Sequence, residues 1–160
     1  ARHVKRVEAM YLNRLEAYLE TTGFSRDKLG APPREWREYT LGDLFEIAPS
    51  KTHANIKTVM DGDVPVISNT STNNGVIGYT SLGANNPANV ITFSDTTDSD
   101  KTFFYQEKPF VGYAHVQTMQ PKSIQMDKQI AAYINTCICR KIAGVYNYGS
   151  KFNRETARRI

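Results

Sequence analysis

A chain of 160 residues suffices for one compact domain with its own core plus a helical appendage. With 40% hydrophobic and 22% charged residues, 10 Gly and 7 Pro, its composition excludes a collagenous, disulfide-stapled or wholly disordered protein, and no apolar run reaches the ~18–20 residues that a membrane helix needs. The net charge of +4 is uneven: residues 140–160 carry six bases against Glu155, residues 41–139 six bases against nine acids, and residues 1–40 eight against six, so a polyanion would meet one basic edge and not a basic body.

Residues 2–21 read as one amphipathic helix. Val4, Val7, Tyr11, Leu15 and Tyr18 recur every three or four positions, Leu12 and Leu19 widen the stripe, and Arg6, Arg14, Glu16 and Glu20 fall opposite. Gly23 is placed to cap its end. Such a helix is about 30 Å long, and its stripe needs cover from its own domain or from another subunit. Residues 25–35, with Gly30 and Pro32-Pro33, read as a linker. The predicted organisation is therefore helix and linker over 1–35 and a domain over 36–160.

From Trp36 the pattern turns to short strands. Residues 37–39 are expected as one; Thr40-Leu41-Gly42-Asp43 resembles a capping box opening a single helical turn; Phe45-Glu46-Ile47 is a strand closed by Pro49. Residues 50–63 form a polar connection. Val64–Ile67 is a strand that Pro65 restricts to an edge or a strand start, because proline cannot donate to a ladder. Asn74-Gly75 signals a hairpin, with residues 76–79 returning. Residues 89–93, 102–105, 110–111 and 115–119 continue the β pattern, and residues 94–100 read as a solvated acidic turn. Residues 127–142 switch to a helix whose buried face is Ile130, Ala131, Ile134, Ile138 and Ile142. A last helix starts near Asn153, and the sequence ends inside it. Trp36, Phe45 and Tyr79 fall within apolar patterns and are expected in the core. Cys137 and Cys139 sit two apart with no ligand partner, and read as small core residues of a reducing cytoplasm. The chain opens Ala-Arg-His, without a charged-then-apolar leader, as expected of a fragment without a signal peptide.

No catalytic apparatus is legible. Neither G-x-x-x-x-G-K-S/T nor G-x-G-x-x-G occurs, no lysine follows an acid by two residues, and Ala31-Pro32-Pro33-Arg34 lacks the amide of an N-P-P-Y/F motif. Asp95, Asp98 and Asp100 do not continue into a calcium loop, and His3, His53 and His115 are scattered. No catalytic residue, metal or cofactor is expected on this chain.

Base reading needs short amide, hydroxyl or cationic side chains on a rigid support. Asn69, Thr70, Ser71, Thr72, Asn73 and Asn74 offer six such groups in succession beside the hairpin tip. Lys51, Thr52, His53, Asn55 and Lys57 add a second polar loop, and Lys101, Gln117, Lys151 and Arg154 are candidate phosphate anchors. Each residue taken singly fits an ordinary polar turn better than a reading surface.

The order of segments adds what single residues lack. Trp36-x-x-x-Thr40-Leu-Gly-Asp-Leu-Phe45-Glu-Ile, then Val64-Pro-Val-Ile-Ser68, Asn73-Asn-Gly-Val-Ile-Gly-Tyr79, Asn89-Val-Ile-Thr92 and Tyr146-Asn-Tyr-Gly-Ser-Lys-Phe152 resemble the target recognition domains of specificity subunits in type I restriction–modification enzymes and related bifunctional type II systems. Leu15-Glu-Ala-Tyr-Leu19-x-x-x-Gly23-Phe resembles the helical lead-in of the type II-associated proteins. This resemblance implies an α+β (mixed α/β) domain with a twisted β-sheet that reads one half of a split site in double-stranded DNA. It implies a spacer or dimer role for the N-terminal helix and partnership with cytoplasmic methyltransferase and restriction subunits, the methyltransferase holding S-adenosylmethionine. The rival readings are a protein-interaction scaffold acting through the helix 2–21, and the recognition portion of a single-chain nuclease–methyltransferase.

Overall fold

The computed structural model describes residues 37–56, 61–96, 99–146 and 151–160. The expected helix 2–21, its linker and Trp36 lie outside them. The chain divides into two units, Ala1–Glu38 and Tyr39–Ile160, and every element described belongs to the second.

The first element is one helical turn, α1 (Leu41–Leu44), opened by the capping box read from Thr40 and Asp43. The Thr40 hydroxyl and N–H donate to the Asp43 carboxylate at 2.7 and 2.8 Å, and Asp43 N–H donates back at 3.2 Å. The Thr40 hydroxyl first, and then its N–H, hold the Asp43 carboxyl below its ordinary value. The strand expected over 37–39 does not form. The main chain there leads straight into the cap.

Seven strands follow in two sheets. Phe45–Pro49 (β1), Val90–Ser94 (β4), Phe104–Gln106 (β5) and Val116–Pro121 (β7) form an antiparallel sheet in the order β1-β7-β4-β5. Val64–Ile67 (β2), Val76–Thr80 (β3) and Val111–Gly112 (β6) form a second sheet in the order β3-β2-β6, with β2 antiparallel to β3 and parallel to β6. β2 is thus a middle strand and not an edge. Pro65 is tolerated because β6 reaches only Val66 and Ile67, leaving Pro65 paired with Tyr79 alone. The hairpin is also longer than a two-residue Asn-Gly turn, since residues 68–75 intervene between β2 and β3.

Helices α2 (Lys128–Ile142) and α3 (Arg154–Arg159) complete the α+β unit. Each is capped by the side chain before it: Asp127 accepts from Ile130 N–H at 2.8 Å and Asn153 from Thr156 N–H at 2.9 Å. The face read for α2 is the one that packs, with Ala131, Ile138 and Ile142 buried and Ile130 and Ile134 partly so. They meet Phe45, Ile47, Ile91, Phe93 and Met119 of the larger sheet. Phe93 and Phe103 stack at 5.1 Å, and Phe152 meets both edge-on at 5.5 and 5.8 Å.

Two core expectations are corrected. Tyr79 is 51% exposed, because β3 is an edge strand whose alternation turns Ile77 and Tyr79 outward. Cys137 is exposed on the outer side of α2, while Cys139 is half-buried and burial pushes its thiol pKa up. Phe45 is buried as expected.

β4 is buried along its whole length. Ile91 and Phe93 join the helix-side core, whereas Val90 joins Val116, Ile67 and Phe110 in a separate cluster between the sheets. Beside that cluster runs a polar seam. Asn86, 6% exposed, accepts from Lys51 N–H at 2.7 Å and donates to the carbonyls of Lys51 and Phe110 at 2.8 and 3.3 Å. Gly112 N–H donates to the same Lys51 carbonyl at 2.9 Å. A Cβ on Gly112 would fall 2.1 Å from Ser50 Oγ and 2.9 Å from Lys51 O.

The seam generates two expected outcomes. Gly112→Ala lowers unfolding free energy by about 1–3 kcal/mol in urea denaturation, because the chain must move aside, and Ser50→Gly in the same chain restores part of it. Asn86→Ala costs about 1–3 kcal/mol by the same measurement, since the Lys51 N–H loses its partner while the Lys51 and Phe110 carbonyls keep main-chain donors. Asn86→Asp is no better, because its oxygens would then face carbonyls. A neutral Asn86→Asp would remove the seam from the account of stability.

Candidate nucleic-acid interface

Strand register brings separate polar segments to one end of the sheets. Pairing of Pro49 and Phe93 with Gln117, and of Ser94 with Val116, sets the ends of β1 and β4 beside the start of β7. Parallel pairing of Ile67 with Gly112 sets the end of β2 beside that of β6. Main-chain bonds lace the segments together: Ser50 N–H to Val116 O at 2.9 Å, Tyr113 N–H to Ile67 O at 2.8 Å, and Asp95 N–H to His115 O at 3.2 Å. The result is a rim built from residues 50–53, 68–72, 95–96 and 113–117.

Of the residues read from sequence, the rim gathers Lys51, Thr52, His53, Asn69, Thr70, Ser71 and Thr72, with Gln117 buried beneath it. Lys51 and Thr52 are exposed, with the Lys51 main chain gripped by the seam. His53 Nε2 lies 2.8 Å from Gly83 O. Asn69 accepts from the Ser68 hydroxyl at 3.0 Å and donates to Thr96 Oγ1 at 3.2 Å. Thr70 and Thr72 share a hydroxyl contact at 3.1 Å. Asn55 is exposed further along its loop, and Lys57 lies outside the described residues.

Asn73 and Asn74 turn elsewhere. With Gly75 they take left-handed φ values of 50°, 54° and 78°, which asparagine and glycine adopt with least strain. Asn73 donates to Val76 O at 3.0 Å. Asn74 donates to Tyr105 O at 3.0 Å and receives at its carbonyl the Gln106 side chain at 3.1 Å, locking the loop to β5. Asn74 thereby lines a cleft of about 560 Å³ between β3, β5 and α2, away from the rim.

Gln117 corrects an expectation. It is 4% exposed, so direct contact with a phosphate is closed to it, and its amide donates to Asp95 Oδ2 at 2.8 Å. Asp95 Oδ1 lies 3.2 Å from His115 Nδ1. Asp95 is therefore tied into the rim and is not part of a solvated acidic turn. From sequence, Asp95 reads as a solvated turn and His115 as a scattered histidine, and Thr96 is not singled out; the one available signal was the polar alternation His115-Val116-Gln117 at a strand start. Lys101 is exposed in the short turn Ser99–Lys101 that follows the β4 loop.

Lys151 is exposed, and Arg154 is exposed at the other side of β1. There Arg154, Arg158 and Lys122 line a groove of about 430 Å³ that runs along β1 to Pro49, next to the rim. Lys122 Nζ donates to Gly42 O at 2.6 Å and Arg158 to Ile47 O at 2.8 Å, so one cation is held to α1 and the other to β1. Among the described residues no group of three or more His, Cys, Asp or Glu side chains is placed to hold a metal, and no helix is long and apolar enough to cross a membrane.

Residues 33–159 match the family described as the type I restriction modification DNA specificity domain. Among curated proteins none matches. Among the solved chains that share the fold are three type I restriction–modification proteins. The type I restriction–modification S subunit from M. genitalium is 16% identical with a TM-score of 0.54, over 78% of this chain and 33% of its own. The HsdS subunit from Thermoanaerobacter tengcongensis is 11% identical with a TM-score of 0.56, over 98% of this chain and 42% of its own. A chain from work on complex assembly and conformational transition of the type I R-M system is 13% identical with a TM-score of 0.56, over 99% and 42%. The present chain thus spans less than half the length of each. With four fifths of its length inside the match, the chain belongs to the family of type I restriction modification DNA specificity domains.

Proposed function

We propose that this chain reads a short double-stranded DNA sequence through the rim, as all or part of a specificity subunit, while methyl transfer and cleavage occur on partner polypeptides in the cytoplasm. The observation that carries the reading is the convergence of strand-end loops in a chain with that family match: the ends of these loops are bonded to the scaffold while Lys51, Thr52, Ser71 and Thr72 face outward. Base edges demand short donors and acceptors held rigidly, and the rim supplies them. Arg154, together with Lys51, Lys101 and Lys151, supplies backbone contacts that set position without specifying sequence. Residues 1–35 act as a spacer that meets methyltransferase or a second copy of the chain. The chain holds no catalytic group in this scheme. It fixes where a partner methyltransferase, loaded with S-adenosylmethionine, flips its base.

Selection from a pool of randomised duplexes, by the chain alone and together with its methyltransferase partner, is expected to enrich one sequence, with affinity falling steeply as salt rises. Lys51→Ala is expected to weaken binding to all sequences alike and to reduce the salt slope by about 1. Absence of both enrichment and salt-dependent binding in either format overturns the reading.

A further inference from the structure

His115 carries an inference that rests on the DNA-reading proposal and sharpens it. Its side chain is 60% exposed at the turn between β6 and β7. Its backbone sits at φ 68°, a left-handed conformation that glycine or asparagine would occupy with less strain. The imidazole is nevertheless fixed. Asp95 Oδ1 lies 3.2 Å from Nδ1, Asp95 Oδ2 accepts from Gln117 at 2.8 Å, and Gln117 is buried. A carboxylate can only accept, so Nδ1 carries the hydrogen and Nε2 is the atom left to the exterior.

The imidazole contact is not what holds the turn. Asp95 N–H already donates to His115 O at 3.2 Å, and Val116 N–H to Tyr113 O at 3.4 Å. A strained backbone and a buried polar relay that serve an exposed ring make sense where the ring's direction matters. Around it lie the Asn69–Thr96 pair and the residues that follow β1.

We propose that His115 is a specificity-determining residue of the interface, presented to a base edge by Asp95 and Gln117 as positioning residues. With Nδ1 donating inward, a neutral ring offers Nε2 as an acceptor to the amino group of adenine or cytosine, and a charged ring offers a donor to guanine. Either way the ring reads one base pair.

The test compares the full chain with His115→Gly and Asp95→Asn, using the duplex enriched by the wild type and a shuffled duplex of equal length. His115→Gly relieves the left-handed backbone, so thermal unfolding is expected to show no loss of stability, which separates recognition from folding. Its affinity for the enriched duplex is expected to fall about 10- to 100-fold, with relaxed preference at one base pair and unchanged affinity for the shuffled duplex. Asp95→Asn keeps an acceptor for Nδ1, and Gln117 can turn its amide to meet the new one. It is expected to relax the same base pair by a smaller factor. A uniform loss on both duplexes with a shallower salt slope would make His115 a phosphate contact and overturn the proposal, as would an unaltered preference in His115→Gly. A wild type that enriches no sequence overturns the DNA reading itself.

Discussion

The placement of the rim depends on one buried amide. Asn86 meets the N–H and the carbonyl of Lys51 with its own two polar ends, and so treats a loop residue as a strand partner. A main-chain N–H shut away without such a partner would cost ~1–3 kcal/mol. The same carbonyl receives Gly112 N–H, and that approach is possible only because Gly112 has no side chain to strike Ser50. Glycine and asparagine together hold the exit of β1 against β6. The end of β1 is in turn fixed to the start of β7, and the end of β6 to that of β2. Apolar burial of Ile67, Val90, Phe110 and Val116 presses the sheets together, but it is directionless. The hydrogen bonds supply the register.

This arrangement separates what the loops need in order to fold from what they can offer a ligand. Asn73, Asn74 and Asn86 spend their amides on main-chain carbonyls, and two of them also occupy left-handed backbone. Ser71, Thr72 and Lys51 present exposed side chains from the same tethered backbone. A scaffold bonded through main chain and buried side chains tolerates replacement of its outward groups. That is the physical condition for one fold to serve many recognition sequences.

Local chemistry was legible and long-range placement was not. Thr40 and Asp43 announce their cap within four residues, Asp127 and Asn153 mark helix starts, and the isoleucines from 130 to 142 trace the packed face of α2. These signals need no knowledge of distant neighbours. By contrast, nothing local shows that β3 is an edge strand, so Tyr79 reads as core but lies half in solvent. Gln117 alternates with apolar residues as a surface group would, and becomes buried because β1 and β4 flank it on both sides. Asp95 and His115, separated by twenty positions, meet only once β4 and β7 pair. For the same reason an asparagine-rich loop looks uniformly like a reading surface in sequence, although Asn74 faces β5.

On the proposed reading, the charge pattern has a logic of its own. Attraction to phosphate is blind to sequence and falls with salt, so a strongly basic reading surface would hold any duplex. Here the cations Lys122, Arg154 and Arg158 lie along the outer side of β1, whereas the rim carries Lys51 and Asp95 among neutral amides and hydroxyls. The basic groove supplies attraction next to the rim without saturating the rim itself. Asp95 places a negative charge near the ring it orients. A phosphate backbone pressed against that point is disfavoured, while a base edge that satisfies His115 is not. Discrimination then comes from penalising the wrong approach as much as from rewarding the right one. A division of this kind requires that the reading groups be uncharged or locally balanced, and the rim, where Lys51 and Asp95 offset one another in charge, meets that requirement.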